Sequence, residues 1–446
     1  MVRGGNDWWV CEMNAAHKYD EDRPMFEITR RHFLAGSSSI FLTTGSVARA
    51  APSDALRVVA LPSIFADMYS ALGAAYQAGH NVALNIDTSI REDETAITTV
   101  LRSAMIGELP DVLFISPNCL RVFADRKLAQ SLDDYQRNEA GWGQSFSPAV
   151  TRIGRFGASM HGLGFAVSMP VILYNLDLLK RIGVSEPPDS WEAITALGRK
   201  LDVMGKGQVV GAFMEYDNGG NWTFHCLLNG FGGRILADDE HNVGFVGPEG
   251  LAALGILRDF GACGQARADM SRDQARQAFS AGQIGILCTS SSSYAAIAKR
   301  AEGQFQIAMR PFPVANEAGH LPAAGPISIM FSKDPEQRQK AWEFMKFASG
   351  VAGQTIVATR TAYLPANDLA LSTEALRQYY ASRPNLQALI PALSVMGPWE
   401  AFPGENSVKI TTVIKNHLAS VVLLKVAPKQ ALEQMGRDVS DLLPLH

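Results

Sequence analysis

Residues 57–115 alternate strand-like and helix-like patterns, and this alternation limits what the chain can fold into more than any other feature. Arg57-Val58-Val59-Ala60-Leu61 is a short β-type run, followed by an amphipathic segment from Ile64 to Ala78. Val82-Ala83-Leu84-Asn85-Ile86 reads as a second strand, Glu92 to Ile106 as a helix closed by Gly107, and Asp111-Val112-Leu113-Phe114-Ile115 as a third strand. A β-α-β-α-β order favours a parallel, doubly wound sheet, whose ligands bind beyond the carboxyl ends of the strands. Those ends are Pro62-Ser63 and Ser116-Pro117-Asn118. With 446 residues the chain is well past the ~250 that one hydrophobic core usually serves, so two lobes are expected.

Further along, helix starts are marked by their capping residues. Asp189-Ser190-Trp191-Glu192, after Pro187-Pro188, places a capping Asp three residues before a Glu and opens a helix running toward Gly205. Asp334-Pro335-Glu336 sets an N-cap Asp before a first-turn Pro, for a helix ending near Gly350. Ile410, Val413, Ile414, Leu418, Val421 and Val422 form one apolar stripe at helical spacing. No repeat, low-complexity tract or obvious linker separates the lobes, so several strands are expected to join them.

The first fifty residues behave differently. Thr29-Arg30-Arg31-His32-Phe33-Leu34 is followed by small, weakly apolar residues from Ala35 to Val47 and by Ala48-Arg49-Ala50. This pattern resembles a twin-arginine export signal, with cleavage expected after Ala50 and a periplasmic destination. The acidic run Asp20-Glu21-Asp22 is unlike an n-region, which places the expected translation start at Met25. No cysteine follows the apolar stretch, so a lipid anchor is not indicated. Residues 1–50 carry six basic and six acidic side chains, so the net charge of −4 is the same with or without them.

Forty Lys plus Arg against 44 Asp plus Glu, with a pI near 6.2, exclude the basic footprint of a nucleic-acid binder. No run of eighteen apolar residues occurs, so no permanent membrane span is expected. Cys119, Cys226, Cys263 and Cys288 allow three disulfide pairings that nothing in the sequence selects, and buried free thiols are the preferred reading. An enzyme would need a recognisable site. No G-x-S-x-G, H-E-x-x-H, P-loop or complete G-x-G-x-x-G is found. Gly230-Phe231-Gly232-Gly233 reads as a tight turn, His161, His225, His241, His320 and His417 are scattered without ligand spacing, and Asp238-Asp239-Glu240-His241-Asn242 reads as a solvated loop. No catalytic residue, metal or cofactor is expected; a twin-arginine-exported enzyme remains the competing class.

Several blocks occur in a telling order. Leu173-Tyr174-Asn175 precedes a short helix, Gly183, Pro187-Pro188 and Ser190-Trp191-Glu192; then come Leu228-Asn229-Gly230-Phe231-Gly232-Gly233, Phe245-Val246-Gly247-Pro248-Glu249-Gly250, Phe279-Ser280-Ala281-Gly282-Gln283-Ile284, Pro311-Phe312-Pro313, Ala341-Trp342-Glu343-Phe344 and Tyr363-Leu364-Pro365. Together they resemble the family 1 extracellular solute-binding proteins of ABC importers, most of all the glycerol-3-phosphate and sugar-binding type. The resemblance implies an α/β, type II periplasmic binding protein fold of two lobes, each a largely parallel sheet flanked by helices, closing on ligand in the cleft between them. It also implies lobes of residues 51–168 with 304–332, and of 169–303 with 333–446. The implied partners are a small polyhydroxylated solute and the permease subunits of an importer with a cytoplasmic ATPase, and the expected working state is a monomer.

The resemblance places Ser290, Ser291, Gly325, Tyr363 and Lys409 at the ligand, and Ser168, at a strand end, joins them on its own chemistry. Hydroxyls and backbone N–H groups at Ser168 and Ser290-Ser291 suit hydroxyl or phosphate oxygens. Lys409 stands where the glycerol-phosphate binders carry Arg, and offers a point charge instead of a two-pronged donor. Asp93 and the Pro117-Asn118 turn stand where those binders carry an aromatic and an acidic side chain at the glycerol end, a further departure from the pattern. From the residues alone, Trp222 in Gly219-Gly220-Asn221-Trp222-Thr223 is a candidate stacking platform for a sugar face, with a core tryptophan as the alternative.

Overall fold

A computed structural model describes residues 55–139, 141–268 and 270–444. Arg30, Arg31 and Ala50 of the expected export signal lie outside the described residues. The two main sheets take nine strands in chain order: β1 (Leu56–Ala60), β2 (Leu84–Asp87), β3 (Val112–Ile115), β4 (Gly162–Gly164), β5 (Pro170–Asn175), β6 (Val210–Met214), β7 (Ile284–Ser290), β8 (Ile307–Pro311) and β9 (Ile327–Met330). The helices used below are α1 (Ala66–Gly79), α2 (Asp93–Ile106), α3 (Trp191–Gly205), α4 (Trp222–Gly230), α5 (Pro248–Ala262), α6 (Arg272–Ser280), α7 (Pro335–Ser349), α8 (Val351–Arg360), α9 (Ser407–Val422) and α10 (Pro428–Ser440).

The β-α-β-α-β segment folds as its periodicity requires. β1 lies between β2 and β3, parallel to both, with Val58 opposite Ile86 on one side and Val112 on the other. α2 ends where Gly107, at φ +75°, receives the chain in a left-handed turn that suits glycine. All four residues of β3 are buried, and they serve two cores by alternation. Val112 and Phe114 pack with Tyr69, Phe165, Trp342 and Phe344 beneath α1 and α7, whereas Leu113 and Ile115 join the larger core that continues to the second sheet. A strand covered on both faces has no polar side to show, which is why it reads as continuous Val-Leu-Phe-Ile.

The sheets are mixed, not largely parallel. The first runs β2-β1-β3-β9-β4 and the second β8-β5-β7-β6. β9 is antiparallel to β3 and to β4, and β5 is antiparallel to β7 and β8; the second sheet has one parallel pair, β6 with β7. The antiparallel strands are those flanking the crossings between sheets. The chain leaves the first sheet after β4 and returns after β8, so outward and inward segments lie side by side with opposite direction. Helical crossovers force parallel pairing only where consecutive strands stay in one sheet.

The crossing points also differ from the expected lobe boundaries. β8, within 304–332, pairs in the second sheet with β5. α7, expected with 333–446 in the second lobe, packs on the first sheet through Trp342, Phe344 and Met345. α9 and α10 then pack on α5, on the second-sheet side, with Ile410, Ile414, Leu418, Val421 and Val422 buried and Val413 partly buried. Asp334 caps α7 as expected, but α3 is capped by the Ser190 hydroxyl, one residue later than the sequence suggested.

Three crossing segments meet between the sheets. Ser168 and Ala324 exchange backbone hydrogen bonds of 2.7 and 3.0 Å, and Val167 pairs with Leu364. Gln354 on α8, fully buried, ties the first and third of them to each other and to α7: its amide N–H donates to the Phe165 carbonyl (2.7 Å) and the Ala348 carbonyl (2.9 Å), and its carbonyl accepts from the Ala366 N–H (2.6 Å). Replacing Gln354 by Leu keeps the volume and leaves these backbone groups buried without partners, each costing about 1–3 kcal/mol. Gln354→Leu is expected to lower unfolding stability by at least ~2 kcal/mol, read as a reduced denaturant midpoint; a shift below a few tenths would show that the crossing segments do not need the amide.

Candidate functional site

A cavity of about 160 Å³ opens at the carboxyl ends of β1 and β3, against the three crossing segments. Its floor is built from the crossings. Ser168 and Gly325 line it, and Gly325 must be glycine: its φ is +95°, and a Cβ there would lie 2.4 Å from the Ala166 carbonyl oxygen. Tyr363, from the third crossing, packs its ring 4.9 Å from Phe65. Burial, the nearby Asp93 charge and a bond with the Ser292 hydroxyl act on its phenol, and the balance holds its proton well above the ordinary range. The phenol is therefore protonated, with an O–H to donate.

The first-sheet wall carries Asp93 at the start of α2, hydrogen-bonded to the side chain and backbone of Ser116. Burial pushes its carboxyl up to about 6, against the lowering effect of those bonds. The second-sheet wall carries Trp222, Ser290, Ser292 and Glu215. Trp222 opens α4 two residues after Gly220, whose φ of +56° and close approach to Asn118 and Trp399 leave no room for a side chain. The two readings of Trp222 combine. It is 4% exposed and anchored by its indole N–H on the Pro322 carbonyl at 2.8 Å, yet it borders the cavity. An anchored ring of this kind is a rigid wall.

The arginines at the cavity are paired within the protein. Glu215, just past β6 and 2% exposed, accepts two hydrogen bonds of 2.7 Å from Arg276 and one of 2.8 Å from the Thr289 hydroxyl. Arg272 reaches Asp217 at 3.7 Å and Glu92 at 3.4 Å, and Arg91 meets Asp273 at 2.5 Å. Arg91 and Glu92 precede α2 on one wall, while Arg272 and Asp273 begin α6 on the other, so these pairs span the mouth of the cleft. The sequence reading missed Arg91, Arg272, Arg276 and Glu215. Arg272 and Arg276 share one face of α6 at i, i+4 behind a Ser271 capping box, which was readable; their acidic partners lie far away in sequence and were not.

Of the expected ligand residues, Ser168, Trp222, Ser290, Gly325 and Tyr363 line this one cavity. Ser291 and Lys409 do not. Ser291 is fully buried behind Ser290, its hydroxyl accepting from the Met169 N–H at 3.2 Å, so it braces the crossing segment. Lys409 is exposed on α9, away from the cavity lining. Asp93 lines the cavity, and Pro117-Asn118 line an adjoining one.

The remaining residues stay structural. The four described cysteines are buried and form no disulfide. His225 is pushed down to about 3 by burial and is neutral. Among the described residues no cluster of His, Cys, Asp and Glu could hold a metal ion, and no helix is long and apolar enough to cross a membrane.

The sn-glycerol-3-phosphate-binding periplasmic protein UgpB of Escherichia coli K12 is 24% identical over 284 residues, 60% of this chain and 64% of the relative. The crystal structure of UgpB from Mycobacterium tuberculosis in complex with glycerophosphocholine superimposes with a TM-score of 0.75 at 18% identity, covering 87% of this chain and 98% of that one. An ABC transporter solute-binding protein from Thermotoga lettingae bound with α-D-tagatose gives 0.71 at 15% identity, with the same coverages. These likenesses fix the fold as the two-lobed type II periplasmic binding protein fold. Residues 71–387 match the model of the bacterial extracellular solute-binding proteins, a family of binding proteins and not of enzymes, and the chain belongs to that family.

Proposed function

We propose that this protein captures a small polyhydroxylated solute, a sugar, polyol or glycerol-phosphate-like compound, in the cleft between its lobes and delivers it to the permease subunits of an ABC importer. It needs no cofactor and works as a monomer in the periplasm, reached through a twin-arginine signal cleaved after Ala50. One observation carries the ligand class: Ser168, Ser290, Ser292, Tyr363 and Asp93 surround a cavity whose arginines already face carboxylates of the protein. Hydroxyl hydrogens find acceptors there and hydroxyl oxygens find donors, with the flat indole of Trp222 beside them. The relatives point the same way: one is a glycerol-3-phosphate-binding protein, and another holds tagatose.

Calorimetry of the purified protein against sugars, polyols and glycerol phosphates tests this reading. At least one is expected to bind, and Tyr363→Phe, which deletes a single hydroxyl, should weaken it about tenfold, or 1.4 kcal/mol, with little change in melting temperature. Silence across the panel would sink the ligand class.

The Asp93 carboxyl supplies a pH signature. A carboxylate accepts hydroxyl hydrogen bonds more strongly than a carboxylic acid, so the solute favours the ionised form. With a free-protein value of about 6, affinity is expected to be full near neutral pH and to decline as pH falls through 6. Asp93→Asn should flatten the profile. An unchanged dissociation constant between about pH 5 and 7.5 would remove Asp93 from the site.

The export route has its own readout. Replacing Arg30 and Arg31 together by Lys should leave the precursor in the cytoplasmic fraction, while the unaltered protein appears in the periplasm beginning at Ala51. Unimpaired export of the double variant would discard the twin-arginine assignment.

A further inference from the structure

A second cavity, of about 320 Å³, shares Trp399 as a wall with the first. Its chemistry is different. Four guanidinium groups border it, those of Arg121, Arg152, Arg155 and Arg234, against the carboxyl groups of Glu240 and Glu400.

The arginines are unequally satisfied. Arg121 bonds Glu240 at 2.8 Å and lies 3.4 Å from Asp125; Arg234 bonds Asp238 and lies 3.6 Å from Glu400. Arg155 donates only to the Ala158 carbonyl, at 2.9 Å, and Arg152 has no hydrogen-bond or ion-pair partner among the described residues. One buried donor at this cavity also lacks an acceptor, the indole Nε1 of Trp399, a residue only 7% exposed. Buried donors in native proteins are nearly always paired, so an unpaired indole N–H beside two guanidinium groups that face no carboxylate marks a place for an acceptor from outside the chain. Glu400 is the one opposing group with a buried, unpartnered oxygen, and burial raises its carboxyl above the usual range, which reduces the negative charge it sets against an anion.

We propose that this chamber is an oxyanion site for a phosphate group, either inorganic phosphate or the phosphorylated end of a solute whose hydroxylated end occupies the neighbouring cleft. Guanidinium groups bind phosphate through paired N–H donors, and Arg152 and Arg155, both exposed to solvent, border one cavity together with the buried indole N–H of Trp399. The joined version rests on the cleft reading proposed above; the phosphate site itself does not.

The test is calorimetry with inorganic phosphate, sorbitol and sorbitol 6-phosphate on the purified protein and on an Arg152→Gln/Arg155→Gln variant. Neither residue lines the first cavity, so sorbitol should bind both proteins equally. Phosphate is expected to bind and to weaken at least ~tenfold in the double variant, and its affinity should fall with added salt. Sorbitol 6-phosphate binding more tightly than sorbitol, with that gain lost in the variant, supports the joined solute. Phosphate binding beside sorbitol with no such gain supports a separate site for the free anion. Should the double variant melt early, Glu400→Gln decides, because removing the opposing carboxyl is expected to tighten phosphate. Phosphate affinity indifferent to these substitutions, or no binding tighter than about 10 mM, overturns the proposal. Failure of sorbitol and every other polyol, with phosphate behaving as stated, would refute the cleft reading alone.

Discussion

The amide of Gln354 holds together backbone that belongs to neither sheet. Three segments pass between the lobes, around residues 166–168, 322–326 and 363–366, and they offer peptide groups that no regular ladder satisfies in full. A buried peptide group without a partner costs as much as a lost hydrogen bond, so crossing chains can be buried only where something else bonds them. Gln354 supplies a donor used twice and an acceptor used once, and Asn367 adds a bond to the Ser349 carbonyl at 3.0 Å. Because these segments are fixed, Ser168, Gly325 and Tyr363 face one cavity instead of lying on three independent loops. The cleft floor is a by-product of how the lobes are joined.

Above that floor the electrostatics are those of a site that keeps its own charges occupied. Glu215 is almost entirely withdrawn from water, and an isolated carboxylate there would be expensive. Arg276 and Thr289 answer it with three short hydrogen bonds, which orient the guanidinium and limit what it can offer a ligand. Serine and tyrosine hydroxyls, by contrast, rotate to suit a donor or an acceptor. The chamber beyond Trp399 differs, with the Arg152 and Arg155 guanidinium groups facing no carboxylate and an indole donor left without an acceptor. Two adjoining cavities with unlike charge arrangements imply ligand groups of different kinds.

Local features were legible in the sequence. The opening β-α-β-α-β unit and the helices begun by Pro335 and closed by Gly107 follow from periodicity and capping, which depend only on near neighbours. Strand direction in the mixed sheets did not follow, because β5, β8 and β9 owe it to where the chain crosses between lobes. The same limit explains the site. Ser290 and Ser291 are adjacent and chemically identical, yet one lines the cavity and the other is turned behind it to bond Met169. Lys409 matched a binding position by resemblance but lies on the exposed face of α9, a helix whose opposite stripe is buried. Arg276 needed Glu215, brought to it only by the folding of β6 beside β7.

The contacts at the mouth of the cleft bear on how closure works. Arg91 and Asp273 are each about half exposed, at 49% and 50%, and Arg272 meets a Glu92 that is 43% exposed. Pairs so accessible to water contribute ~0–1 kcal/mol each and weaken with salt. They can set the register in which the two walls meet, but they cannot hold the lobes together against a conformational equilibrium of a few kcal/mol. A solute touching both walls adds interactions that neither wall offers alone, with the Asp93 carboxyl on one side and the indole and serine hydroxyls on the other. Under the proposed capture of a solute, so weak a latch would leave closure to whatever fills the cleft, since a stronger one would close it as firmly when empty as when loaded.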